Sequence, residues 1–219
     1  MKIIILIDNG HGWDTAGKLS PDGRLREYAY TREIARMLCE KLRLYGYDAR
    51  CIVTEEKDIS LAERCRRVNC VCDTVGKKNV IFISVHVDAA GSGKWMNAGG
   101  WTAYTTRGKT DADVLAECLY DAAKIHLKDY AKLMDEGKKS GVYSMKQKPC
   151  RTDMLDGDSD KEANFYVLAH TSCPAVLTEN LFQDNRSDVD FLLSPVGKKT
   201  IVDIHYDGIV RYLECIKKK

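Results

Sequence analysis

Ile3-Ile4-Ile5-Leu6-Ile7-Asp8-Asn9-Gly10-His11 follows Met1-Lys2 and decides the fold. Five consecutive apolar residues, four of them β-branched, are too uniformly hydrophobic for a strand with one wet face, so the run reads as a central parallel strand ending in a tight turn. Working outward, apolar residues recur at Tyr30, Ile34, Met37, Leu38, Leu42 and Tyr45, which predicts a helix from Glu27 stopped by Gly46. A second strand is expected over Asp48 to Thr54. Ser60 with Glu63 forms a capping-box pattern ahead of a helix running to Gly76, and Asn79 to Val85 is a third buried strand. Further strands are expected over Trp101 to Thr106, Phe165 to Leu168 and Ala175 to Glu179, and helices over Asp111 to Leu127 and from Ser194-Pro195 onward. Buried strands alternating with helices predict an α/β fold: one domain over 1–219, a mostly parallel twisted sheet with helices on both faces. Lys128 to Lys161 is charged and Gly-containing and is expected to be an insertion over one face.

Composition narrows the function classes. Apolar residues are 44% and charged residues 30%, as in an ordinary globular domain, and Lys plus Arg exceeds Asp plus Glu by 34 − 32 = 2. That balance gives no field to recruit nucleic acid or an anionic membrane. The N-terminal apolar run is far shorter than the ~20 residues of a membrane span, and no export signal is expected in it. Nine cysteines, an odd number without a CxxC, read as buried free thiols, with Cys51, Cys65 and Cys118 at core-like positions.

In doubly wound sheets ligands bind beyond the carboxyl ends of the strands. His11 follows the first strand, His86 ends the third, Glu179 ends the last, and Glu27 opens the helix whose N-terminus belongs at the same edge. Two imidazoles and a carboxylate are a common ligand set for catalytic zinc with one position open, and a further carboxylate can move protons. Each residue alone has a plainer reading: a loop hydrogen-bonder for His11, a satisfied core histidine for His86, a helix-dipole partner for Glu27. Glu179 is harder to explain away, because a carboxylate ending an apolar strand is costly to bury unless paired. Asp8 and Asp88 could orient a ligand histidine, or be ordinary turn carboxylates. His126 and His205 read as structural or exposed. Arg151 could meet a peptide carboxylate or be solvated, and Trp95 and Trp101 could stack on sugar or simply pack.

The four segments together resemble the zinc-dependent N-acetylmuramoyl-L-alanine amidases of family three. Ile7-Asp8-Asn9-Gly10-His11-Gly12 is similar to the family's first ligand motif, Leu25-Arg26-Glu27-Tyr28-Ala29 to its second, and Ile83-Ser84-Val85-His86-Val87-Asp88-Ala89 to its third. Pro174 to Asn185 resembles the segment bearing the catalytic glutamate, and Thr54 to Asn69, with Asp58, Leu61 and Arg64, fits the intervening helix. Departures stand at Asn9, Trp13, Glu55 and Asn180-Leu181, where the family usually has proline, glycine, arginine, and a small residue followed by glycine. They bear on substrate detail rather than on the reaction.

The resemblance implies one zinc ion on His11, Glu27 and His86, Glu179 as the catalytic base, and hydrolysis of the amide between N-acetylmuramic acid and L-alanine in peptidoglycan. It also suggests that the 128–161 insertion shapes the groove for a particular peptide stem. Two other readings stay open: a zinc peptidase acting within the stem, and a non-catalytic peptidoglycan-binding module. A monomer is expected, held in the cytoplasm until release to the wall in the manner of a phage lysis enzyme, or secreted if the N-terminus was trimmed.

Overall fold

The computed structural model describes residues 2–91, 93–139, 149–155 and 157–217. A six-stranded sheet runs through the domain in the order β2-β1-β3-β6-β4-β5, with β1 at Ile4–Asn9, β2 at Asp48–Cys51, β3 at Val80–Asp88, β4 at Thr102–Thr105, β5 at Lys161–Glu162 and β6 at Ala175–Phe182. The first four strands in that order are mutually parallel, and β4 runs antiparallel to β6 with β5 parallel to β4. The mostly parallel α/β sheet is therefore present, with a reversed edge.

Side chains of β1 alternate between two cores, which explains why the opening run is apolar throughout. Ile5 and Ile7 join Ile81, Ile83 and Val85 of β3 beneath α1 (Glu27–Leu44), α3 (Asp111–His126) and α7 (Pro195–Lys217). Ile4 and Leu6 face the other way, with Val80 and Phe82, toward α2 (Leu61–Val75) and α5 (Tyr166–Ala169). Fully burying one such side chain contributes about 1.5–3 kcal/mol relative to exposure. A substitution toward polarity in this run would thus damage a core on either face.

Local signals behave as expected at several helix ends. The Ser60 hydroxyl accepts from Glu63 N at 3.2 Å and Gly76 stops α2 at φ 87°. The Glu63 carboxylate turns away to Arg66 and Arg67, so only the serine half of the capping box forms. Ser194 caps α7 by accepting from Gly197 N at 2.9 Å.

Several expectations are corrected. Phe165 to Leu168 is no strand: Tyr166–Ala169 is a single helical turn, packed against α2. The strand expected to Thr54 ends at Cys51, and the strand expected to end at Val85 continues to Asp88, carrying His86 within it. A helix, α6 (Arg186–Leu193), follows β6 where no element was expected, with the Asn185 side chain accepting from Ser187 N and Asp188 N. The stretch read as an insertion begins as α4 (Lys128–Lys139), whose Tyr130 and Met134 are buried in the larger core, and it ends in β5; residues 140–148 of it lie outside the described residues.

All nine cysteines are free thiols, with Cys65 and Cys118 buried and Cys51 half-buried. No helix among the described residues is long and apolar enough to cross a membrane.

Candidate metal centre

The turn after β1 places the first functional side chain. His11 takes φ 61°, the left-handed region that a residue with a Cβ occupies at a cost of roughly 1–3 kcal/mol. Its carbonyl is held at 2.8 Å by Arg32 Nη1 from α1, while Arg32 Nη2 reaches Glu55 O at 2.7 Å. Arg32 thus ties the histidine turn to the loop after β2. The turn also runs close to its neighbours: a Cβ on Gly10 would sit 2.4 Å from His86 Cε1, so only glycine lets β1 pass that ring.

Arg64 of α2 supports the same turn from below. It is buried, bonded to the carboxylate of Asp8, to Asn9 O at 2.7 Å and to Asp58 Oδ1 at 2.8 Å, while Asp8 Oδ2 accepts from the Ser84 hydroxyl at 2.7 Å. Asp8 therefore braces β1 against β3 and α2 rather than orienting an imidazole. Asp88 likewise pairs with Arg151, at 2.8 Å. Neither orients a histidine.

Glu27 begins α1 and is buried beneath both histidines. Its Oε1 lies 3.1 Å from His86 Nδ1 and accepts Val87 N at 3.1 Å, and its Oε2 lies 3.5 Å from His11 Nε2. The two rings meet edge-on with centroids 5.1 Å apart. One ligand atom from each of His11, Glu27 and His86 falls within 4.8 Å of the others. Glu27 Oε2 is buried without a hydrogen-bond partner, the condition of an atom that awaits a cation.

The electrostatics follow from this packing. Burial drives the His11 pKa down to about 4 against the pull of Glu27, leaving a neutral ring with a lone pair to offer at neutral pH. Burial acts to lower His86 as well, but its hydrogen bond to Glu27 and that carboxylate's charge outweigh it and raise the ring. Burial pushes Glu27 up, and the two histidines pull it below the ordinary carboxylate value.

Glu179 stands directly opposite His86 in the β3–β6 register and on the same face. Burial, opposed by His86 and reinforced by the charges of Glu27 and Asp88, pushes its carboxyl up to about 8, and its Oε2 has no hydrogen-bond partner. All four site residues expected from the sequence are thus brought together. His11, His86 and Glu179 open onto a cleft of about 510 Å³, with Glu27 buried beneath them, walled on the far side by Leu61 of α2 and by Phe165, Tyr166 and Val167 at α5.

Other candidates fall outside the site. Trp101 is fully buried, with Nε1 donating to Asn180 Oδ1 at 2.8 Å, and Trp95 packs under Arg186. Asn180, expected to bear on substrate, is buried on the opposite face from Glu179 and donates to His86 O at 2.9 Å. Leu181 beside it has φ 64°, a physical reason for glycine to be usual there. His205 is buried, His126 pairs with Asp207, and His170 stacks on Tyr166. Arg32 was not singled out from the sequence, since a half-buried arginine within a helix leaves no local mark.

A family model described as N-acetylmuramoyl-L-alanine amidase matches residues 5–211. The endolysin of Bacillus phage SPP1 is 25% identical over 100% of this chain and 69% of its own length. The N-acetylmuramoyl-L-alanine amidase AmiC of Neisseria meningitidis is 26% identical over 96% of this chain, which spans about half, 52%, of that relative. Among solved structures, an N-acetylmuramoyl-L-alanine amidase from Clostridium difficile 630 superposes with a TM-score of 0.72 at 21% identity, covering 97% of each chain. The catalytic domain of CwlV from Bacillus (Paenibacillus) polymyxa does so at 0.71 and 18%, covering 98% of this chain and 99% of the other. At those identities the superpositions speak to the fold alone.

Proposed function

We propose, from the premise that the chain belongs to the N-acetylmuramoyl-L-alanine amidase family, that it hydrolyses the amide between the lactyl group of N-acetylmuramic acid and L-alanine in peptidoglycan using zinc held by His11, Glu27 and His86, with Glu179 as proton carrier. The observation that carries the site is the meeting of those three ligand atoms within 4.8 Å, with a buried carboxylate oxygen left unpartnered among them.

The donor set fits the ion. Two imidazole nitrogens and one carboxylate oxygen suit zinc at a catalytic site, where a fourth position stays open. Bound there, zinc supplies Lewis acidity that favours ionisation of water and polarises a carbonyl.

The chain's own residues do the rest. Glu27 offsets part of the cation's charge, and the Val87 amide and Arg32 fix the two ligand-bearing segments on which the geometry depends. Glu179, unpaired and facing the cleft from beside His86, takes a proton at its carboxylate from the attacking water and returns it to the leaving nitrogen. Leu61, Phe165 and Tyr166 set an apolar wall beside the reacting amide.

The similarity to a phage endolysin supports an enzyme kept in the cytoplasm until it is released to the wall. Mass analysis of digested peptidoglycan tests the reaction. Stem peptides with free L-alanine amino termini and glycan with free lactyl carboxylates are expected; cuts within the stem would contradict it, and binding without turnover by zinc-loaded protein would reduce the chain to a wall-binding module.

A further inference from the structure

The strand register continues the site sideways, away from the cleft. Glu179 lies opposite Thr102 on β4, Leu177 lies opposite Tyr104, and Tyr104 in turn lies opposite Lys161 on β5. Residues opposed across strands share a face, so Glu179, Tyr104 and Lys161 stand on the face that bears the cleft. Two strand spacings, about 10 Å, separate β6 from β5, and the length of a lysine side chain covers about half of that distance.

Lys161 makes no ion pair among the described residues; its ammonium sits 5.8 Å from the centroid of the Tyr104 ring. Beside it, Arg151 spans the ends of β3 and β6. Its Nη2 meets Asp88 Oδ2 at 2.8 Å and its guanidinium lies 4.5 Å from the Phe182 ring, while its Nε is buried and unpartnered. Burial and the Arg151 charge both hold Lys161 below its ordinary pKa, against Asp88 and, more weakly, Asp153. Asp88 is engaged by Arg151, and Asp153 accepts from Leu155 N at 3.1 Å. A half-buried ammonium beside a guanidinium, without a carboxylate of its own, is unfavourable unless an anion arrives. Lys18, the cation at the opposite side of the site, already lies 4.0 Å from Glu27.

We propose that Lys161, with Arg151 behind it, binds a carboxylate on the peptide side of the scissile bond, which assigns the peptide stem to the β4–β5 edge of the site. The inference rests on the amidase reading. The chemistry of the substrate picks the side: the only carboxyl group of N-acetylmuramic acid is the one consumed in the amide, so a free carboxylate near the reacting centre must come from the peptide. The first residue beyond alanine lies within the span of one extended residue, about 3.8 Å between Cα atoms, plus its own side chain.

Two synthetic substrates test this, muramoyl-L-alanyl-D-isoglutamate and muramoyl-L-alanyl-D-isoglutamine, both capped as the γ-methylamide so that they differ only in an α-carboxylate against an α-carboxamide. The full-length zinc-loaded protein is expected to favour the acid by about tenfold in kcat/KM, as for a charge-assisted pair. In Lys161→Met that ratio falls to near one through KM, and Lys161→Arg restores most of it. A wild-type ratio near one, or a ratio unchanged in Lys161→Met, overturns the inference. Should wild type cleave neither substrate, the amidase reading has failed on its own. Calorimetric binding of the γ-methylamides of L-alanyl-D-isoglutamate and L-alanyl-D-isoglutamine to wild type and Lys161→Met then decides the subsite separately, with equal affinities overturning it.

Discussion

Thr178 and Glu179 are neighbours on β6 and face opposite sides of the sheet, and the polar groups around each are treated in opposite ways. Behind Thr178 every partner is in place. The Ile201 carbonyl accepts from His205 Nδ1 at 2.7 Å, so Nε2 is left to accept the Thr178 hydroxyl at 2.9 Å. Asn180 then donates to Thr178 Oγ1 at 3.2 Å and accepts from Trp101. In front, around Glu179, two carboxylate oxygens are buried without hydrogen-bond partners. A buried histidine is therefore read by what its neighbours lack: His205 belongs to a closed network that specifies packing, whereas His11 and His86 border an open one that can hold a cation.

The contrast breaks most visibly at His86. His86→Ala is expected to abolish zinc binding and lower hydrolysis by about a thousandfold or more, the scale of several kcal/mol of charge stabilisation at 1.36 kcal/mol per decade. Zinc analysis alongside peptidoglycan turnover checks it, and retained zinc with retained turnover would erase the distinction between the faces.

A smaller effect should come from the closed side. His205 is held neutral, with its pKa lowered by burial to about 4. The unfolded chain takes up that proton first, so stability is present above pH 6.5 and declines as pH falls toward 4, by about 3 kcal/mol in total. The imidazole resonances of His205 should titrate near pH 4, and the acid loss of stability should shrink in His205→Gln. Smallest is Thr178→Val, which removes the donor to His205 and should cost about 1–3 kcal/mol in denaturant unfolding while zinc content stays at the wild-type level.

Much of this contrast was legible in the sequence, for reasons particular residues make plain. The runs at Ile3 to Ile7 and at Val80 to Val85 are apolar on both faces, so their strands and the edge where His11 and His86 emerge could be placed by position alone. Phe165-Tyr166-Val167-Leu168 misled, because four residues of aromatic and aliphatic character do not separate a strand from one helical turn. The helix after Asn185 went unread although its capping residue was present, since its eight residues sit between stronger signals. The Arg32 clamp on His11, the burial of Trp101 and Asn180, and the approach of Lys161 to Tyr104 all depend on contacts distant in sequence, and no local pattern encodes them.

The central claim, that Glu179 moves the proton while His11, Glu27 and His86 hold the metal, is tested most directly by Glu179→Ala, measuring zinc content and peptidoglycan hydrolysis on the same sample. The account predicts zinc bound as in wild type and turnover lowered by about 10²–10⁴-fold, the range of general acid–base catalysis. Zinc lost together with activity would make Glu179 a ligand instead, and full activity with zinc retained would remove it from the reaction.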